Sequence, residues 1–104
     1  MKLNVLERMV LLQVLPVQGN LTTLRIVADL RNELSFTEEE HARLDFQVDT
    51  ASERLTWNED GTLKDVEFGA KAMVIVQERL EELDRQEKLT AKHLPLCDKF
   101  EYGA

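Results

Sequence analysis

His41 and His93 are the two imidazoles of this chain and Cys97 is its one thiol, so metal or nucleophilic chemistry has to start from them. Glu38 and His41 stand three apart, the spacing of half a carboxylate-bridged di-metal site on a helix. A full site takes two such pairs, and Thr90 occupies the matching place before His93. His93 and Cys97 stand four apart, which would put two ligands on one helical face. A closed zinc site needs four donors, and no second Cys or His pair supplies them. Cys97 as a nucleophile would need a base and an orienting group, and His93 would have to come from the same helical turn. Ser35 and Ser52 lie in no nucleophile-elbow pattern. Gly19, Gly61, Gly69 and Gly103 are too scattered for a phosphate loop. These spacings predict no enzyme, cofactor or metal: His41 is solvated, and Cys97 packs as a small apolar residue.

Carboxylates are the abundant titratable group. The formal net charge is −7, and it is unevenly placed. Residues 33–68 hold eleven acidic and three basic side chains, a local net of −8. A field of this sign repels nucleic acid and attracts a basic protein surface. The candidate partner-binding residues are therefore Glu38, Glu39, Glu40, Asp45, Asp49, Glu59 and Asp60, with Trp57 as an aromatic anchor. The alternative for Trp57, and the favoured one, is packing under a strand hairpin, because large aromatics dominate small cores.

The elements that must carry these residues are readable from spacing. Phe68–Leu89 is the longest helical signal. Ala72, Met73, Val76, Leu80 and Leu83 recur at steps of three and four. Glu81–Arg85 and Asp84–Lys88 support the opposite face. A helix of that length spans roughly 30 Å, so it is expected to be the scaffold for the others. Asn4 with Glu7 forms a capping-box pattern before a helix that is apolar on most faces and ends at Pro16, which suggests a buried element. Asn20, Thr22 or Thr23 caps a second helix running to about Leu34. Two overlapping cap patterns, Ser35 to Glu38 and Thr37 to Glu40, open a short third helix ending near Leu44.

The period then changes to two. Arg54–Trp57 and Leu63–Phe68 read as the strands of a hairpin across Asn58-Glu59-Asp60-Gly61, with Asp45–Asp49 as a third strand. Near the end, either a helix begins at Ala91, or a turn at Thr90–His93 precedes one that starts with Pro95. In both cases Leu96, Cys97 and Phe100 face inward. Residues 101–104 are expected to fray. The fold class is α+β: about five helices with a small antiparallel hairpin or three-stranded sheet, and a winged-helix-like arrangement as one reading. The absence of composition breaks predicts a single domain over residues 1–104.

Hydrophobic residues make up 43% of the chain, too many for disorder. One cysteine excludes an internal disulfide. Asn4, Glu7 and Arg8 interrupt any leader-like apolar run, and no stretch is long enough to span a bilayer. The expected location is the cytoplasm.

The stretches ERMVLLQVLP, GNLTTLRIVADLRNELSFTEEEH, FGAKAMVIVQERLEELDRQEKLT and KFEY cover most of the chain. Together they resemble a loose group of short uncharacterised proteins of tailed phages and prophages. The resemblance implies origin, and with it the host-cell cytoplasm as location with the virion as the alternative; no functional residue carries over from it. The leading expectation is a non-enzymatic interaction module, either a virion or assembly accessory or a regulator of a host protein, acting through an acidic surface. One alternative is a nucleic-acid mimic that inhibits a host DNA- or RNA-binding or defence protein. Another is a winged-helix-like DNA-binding protein. Glu38, Glu39 and Glu40 would sit on its reading helix, and Arg25 and Arg31 are too few to outweigh them. Homo-oligomerisation through the long or the first helix is a further expectation.

Overall fold

Asn4 starts the first helix as its spacing requires. Its Oδ1 accepts the Glu7 N–H at 2.8 Å, and Glu7 Oε1 accepts the Asn4 N–H at 2.9 Å. In the computed structural model, which describes residues 1–103, α1 runs Val5–Val14, α2 Leu21–Leu34 and α3 Glu38–Leu44. α4 runs Ala70–Arg85. A 3₁₀ turn at Ala91–His93 leads into α5, Leu94–Lys99. Four short strands complete the chain: β1 Lys2–Leu3, β2 Gln47–Asp49, β3 Arg54–Thr56 and β4 Lys64–Asp65. The class is α+β with five helices, as the sequence indicates.

The centre of the molecule is α1. It packs on α2, α4, α5 and the 3₁₀ turn. Val10, Leu11 and Val14 join Leu30, Val76, Leu80 and Phe100 in one buried cluster. The long helix α4 is one wall of that core, contributing Ala72, Val76 and Leu80. At 16 residues it is shorter than Phe68–Leu89 suggests. Glu87 turns left-handed at φ 56°, and Lys88 N–H closes back on Leu83 O. The exposed pairs also differ from the expected ones: Arg85 pairs with Glu82, and Asp84 accepts the Tyr102 hydroxyl at 2.7 Å.

The last turn of α1 holds no basic residue. Its free carbonyls take donors from other helices instead. Arg31 of α2 reaches Leu12 O at 3.3 Å, and Arg79 of α4 reaches Val14 O at 3.0 Å. A helix end left without such partners would carry unsatisfied carbonyls.

Strand pairing is where spacing misleads. Arg54–Trp57 does not pair with Leu63–Phe68. Instead β2 pairs antiparallel with β3, Val48 opposite Leu55, and β4 pairs with β1, Leu3 opposite Lys64. No three-stranded sheet forms among the described residues. The cause lies in the two connections. Asp49 builds the tight reversal, accepting Ala51 N–H at 3.0 Å and Ser52 Oγ–H at 2.9 Å, with Glu53 at φ 54°. Asn58–Gly61 is held open by its own side chains: Asp60 accepts Thr62 N–H at 2.9 Å and Arg43 Nε–H at 2.7 Å. The freed segment then reaches β1, where the chain's amino group meets Asp65 at 2.9 Å.

At the other end, the turn-then-helix alternative is the one adopted, with Pro95 in the first turn of α5. Leu96, Cys97 and Phe100 are buried. Glu101–Gly103 forms a turn. Tyr102 N–H bonds Cys97 O at 2.8 Å. Ala104 lies outside the described residues.

Candidate functional site

Glu7 and Arg8 are a charged pair in the most apolar helix of the chain, and both are buried. A charge in such a place has to be met by partners. Lys99 Nζ sits 2.8 Å from Glu7 Oε1. Arg8, 1% exposed, makes four hydrogen bonds through its guanidinium. Its Nε donates to Leu34 O at 3.2 Å, and Nη2 donates to Ser35 O at 2.9 Å. Its Nη1 and Nη2 grip Glu40 at 2.6 and 3.2 Å. The guanidinium also lies 4.0 Å from the centroid of the Phe36 ring. In the sequence Arg8 is marked only as a cation beside Glu7 in a helix apolar on most faces, and no local spacing points to Glu40 as its partner.

This contact removes Glu40 from the outward-facing acidic set. Of the two overlapping cap patterns the chain uses Thr37 with Glu40, while Ser35 caps the end of α2. Hydrogen bonding to Arg8 pulls the Glu40 pKa down to about 2, against an opposing contribution from burial. Glu38 and Glu39 remain exposed in the first turn of α3. Asp45 takes the left-handed cap of α3 at φ 47° and accepts the Gln47 amide at 2.9 Å. Asp49 is the turn residue described above. Its pKa is lowered by the Ser52 hydroxyl first and the Ala51 N–H second. Asp60 is lowered chiefly by Thr62, with Arg43 adding to it.

The hairpin that follows α3 is two-faced. Alternation puts Val48 and Leu55 on one side, and Gln47, Asp49, Arg54 and Thr56 on the other. Val48 is 67% exposed and Leu55 40%, so this apolar side is largely uncovered. Phe46 and Trp57 extend it toward α3, with ring centroids 6.2 Å apart. Phe46 in turn packs edge-on against Phe36 at 5.2 Å and His41 at 5.4 Å. Trp57 is thus half-buried against Phe46 and outside the central core, which differs from packing beneath a hairpin. Its indole N–H donates to Glu59 Oε2 at 3.2 Å, and Glu59 Oε1 accepts Gly61 N–H at 3.1 Å.

His93 and Cys97 are both buried near the other end of the molecule. His93 Nδ1 accepts the Thr90 N–H at 2.9 Å, a capping role. Burial, with Asp98 and Asp84 adding to it, pushes the Cys97 thiol pKa up, away from the thiolate a nucleophile needs. Among the described residues no three His, Cys, Asp or Glu side chains gather as a metal site would require. An open cleft of about 560 Å³ runs between α2 and α4 and is lined by Thr22, Thr23, Ile26, Lys71, Val74 and Glu78. Its lining includes no histidine or cysteine. No helix among the described residues is long and apolar enough to cross a membrane.

The arrangement is a body built around α1 and an arm, α3 with β2 and β3, that carries the acidic stretch and an uncovered apolar face. Compared with protein-family models, curated proteins and solved structures, the chain matches none.

Proposed function

We propose that this chain is a non-enzymatic protein-interaction module of phage or prophage type, binding a basic protein through its arm. The observation that carries this reading is the face of the β2–β3 hairpin. Val48 and Leu55 face solvent beside Trp57, inside the stretch with a local net charge of −8. An apolar centre rimmed by charge is the usual anatomy of a contact patch. Glu38, Glu39 and Glu59 are the outward carboxylates of that rim. Glu40 and Asp60 are already neutralised by Arg8 and Arg43. This weighs against a phosphate-mimicking row and leaves the hairpin face as the centre of the patch. The acids at the start of α3 weigh equally against duplex DNA.

The test is affinity capture from bacterial lysate with wild type, Val48→Ser/Leu55→Ser, and Glu38→Lys/Glu39→Lys as parallel baits, at low and high salt. A partner held by wild type and lost with either variant, more weakly held at high salt, supports the reading. A partner kept equally by all three baits overturns it. So does catalytic turnover that disappears in Cys97→Ser.

A further inference from the structure

Arg8 and Phe36 show what this chain does with a guanidinium. The cation lies over an aromatic ring at 4.0 Å, and a carboxylate, Glu40, closes on its edge. From Phe36 the rings continue outward through Phe46 to Trp57. At the outer end of this row the same two groups stand side by side, an indole and the carboxylate of Glu59. That carboxylate is oriented in advance, one oxygen on the indole N–H and the other on the Gly61 N–H. Each oxygen keeps a further lone pair. Glu59 makes no ion pair with any described Lys or Arg of the chain. Leu55, Thr56, Trp57 and Glu59 line a surface cleft of about 270 Å³.

We propose that this cleft is a binding site for an arginine side chain presented by a protein partner. The inference rests on the interaction reading above and names the group on the partner that is recognised. Guanidinium is the fitting ligand for three reasons. It is planar and weakly hydrated, so it stacks on an indole at low desolvation cost, whereas an ammonium holds its water. Its forked donors suit a carboxylate. Its aliphatic stem has Leu55, 40% exposed, to lie against. The surrounding negative potential draws the cation in.

Trp57 is the one tryptophan of the chain, so its indole resonance and fluorescence report on this cleft alone. The probe is the tripeptide acetyl-Ala-Arg-Ala-amide, titrated beside its lysine and citrulline counterparts. The arginine peptide is expected to give a saturable change, the lysine peptide a weaker one, and the neutral citrulline peptide none. Glu59→Gln is expected to weaken arginine binding by about fivefold. Leu55→Ala is expected to weaken it while leaving the circular dichroism spectrum unchanged. Indistinguishable arginine and citrulline titrations overturn the proposal, as does a Glu59→Gln protein of unaltered affinity. A captured partner that Val48→Ser/Leu55→Ser loses but Glu59→Gln retains overturns this proposal while upholding the interaction reading. Saturable, citrulline-discriminating binding supports the cleft even where lysate capture yields nothing.

Discussion

Arg8, in the middle of α1, and Glu40, in the first turn of α3, meet at 2.6 and 3.2 Å with the guanidinium almost wholly buried. One contact thereby joins the centre of the core to the base of the acidic arm. The same carboxylate accepts the Thr37 N–H at 3.0 Å, so the start of α3 and its attachment to the body depend on one side chain. Arg8 also donates to the carbonyl of Leu34, the last residue of α2, and to that of its cap Ser35. The path of the chain from α2 into the arm is set around this single cation.

Removing the partner of a buried charge costs more than the pair contributes, because the remaining ion is stranded. Glu40→Gln is therefore expected to destabilise the fold by about 3 kcal/mol. Glu39→Gln, one residue away and exposed, is expected to stay within about 0.5 kcal/mol of wild type. Urea unfolding of the two proteins, followed by circular dichroism, makes the comparison. Equal midpoints would show that Arg8 is satisfied without Glu40.

Acid should release the same contact. The Glu40 carboxyl has a folded pKa of about 2 against an ordinary 4.5. A depressed folded pKa contributes stability above the unfolded value that is lost as pH falls toward the folded one. The window is thus about pH 4.5 down to about 2. The Glu40 side chain is 13% exposed, and solvent screens part of the effect, which leaves on the order of 2 kcal/mol. Thermal melts across this range should steepen their decline in wild type and lose that component in Glu40→Gln.

Tyr102 is the one tyrosine, so its ionisation can be followed directly by absorbance near the phenolate band. Its hydroxyl donates to Asp84 at 2.7 Å, and this bond to the neutral form, followed by desolvation, pushes the pKa up to about 12. The contact is intact below the unfolded tyrosine value and disappears as pH rises through the folded one. Asp84→Asn should bring the titration down toward the ordinary value of about 10. A wild-type midpoint already there would mean the bond does not persist in solution.

Cys97 is 8% exposed, and burial raises its thiol pKa. Alkylation by a maleimide at neutral pH should run on the order of a hundredfold more slowly in the native protein than in urea. Cys97→Ser should destabilise by about 1–2 kcal/mol through a buried hydroxyl, and Cys97→Ala by less. Rapid native labelling would contradict a packing role for this residue.

Some of these features were legible in the residues and others were not. Asn4 announces its helix, and Asn20 and Thr37 are among the candidates for theirs, because a cap is a contact between residues three apart. The inward set Leu96, Cys97 and Phe100 follows from helical spacing in the same way. Val48 opposite Leu55 was hidden because Asn58–Gly61 reads as the stronger turn, while the working turn depends on Asp49 bonding Ala51 and Ser52. Leu3 opposite Lys64 joins residues 61 positions apart that share no local pattern.

The order of the helices, their caps and the concentration of charge in residues 33–68 belong to the sequence alone, since each depends on interactions within a few residues. Tertiary structure decided which carboxylates face outward. Arg8 draws Glu40 inward, Arg43 holds Asp60, and Phe46 takes Trp57 half out of solvent. Each of these outcomes depends on which distant groups meet when the core closes around α1, and no short-range pattern encodes a meeting of that kind.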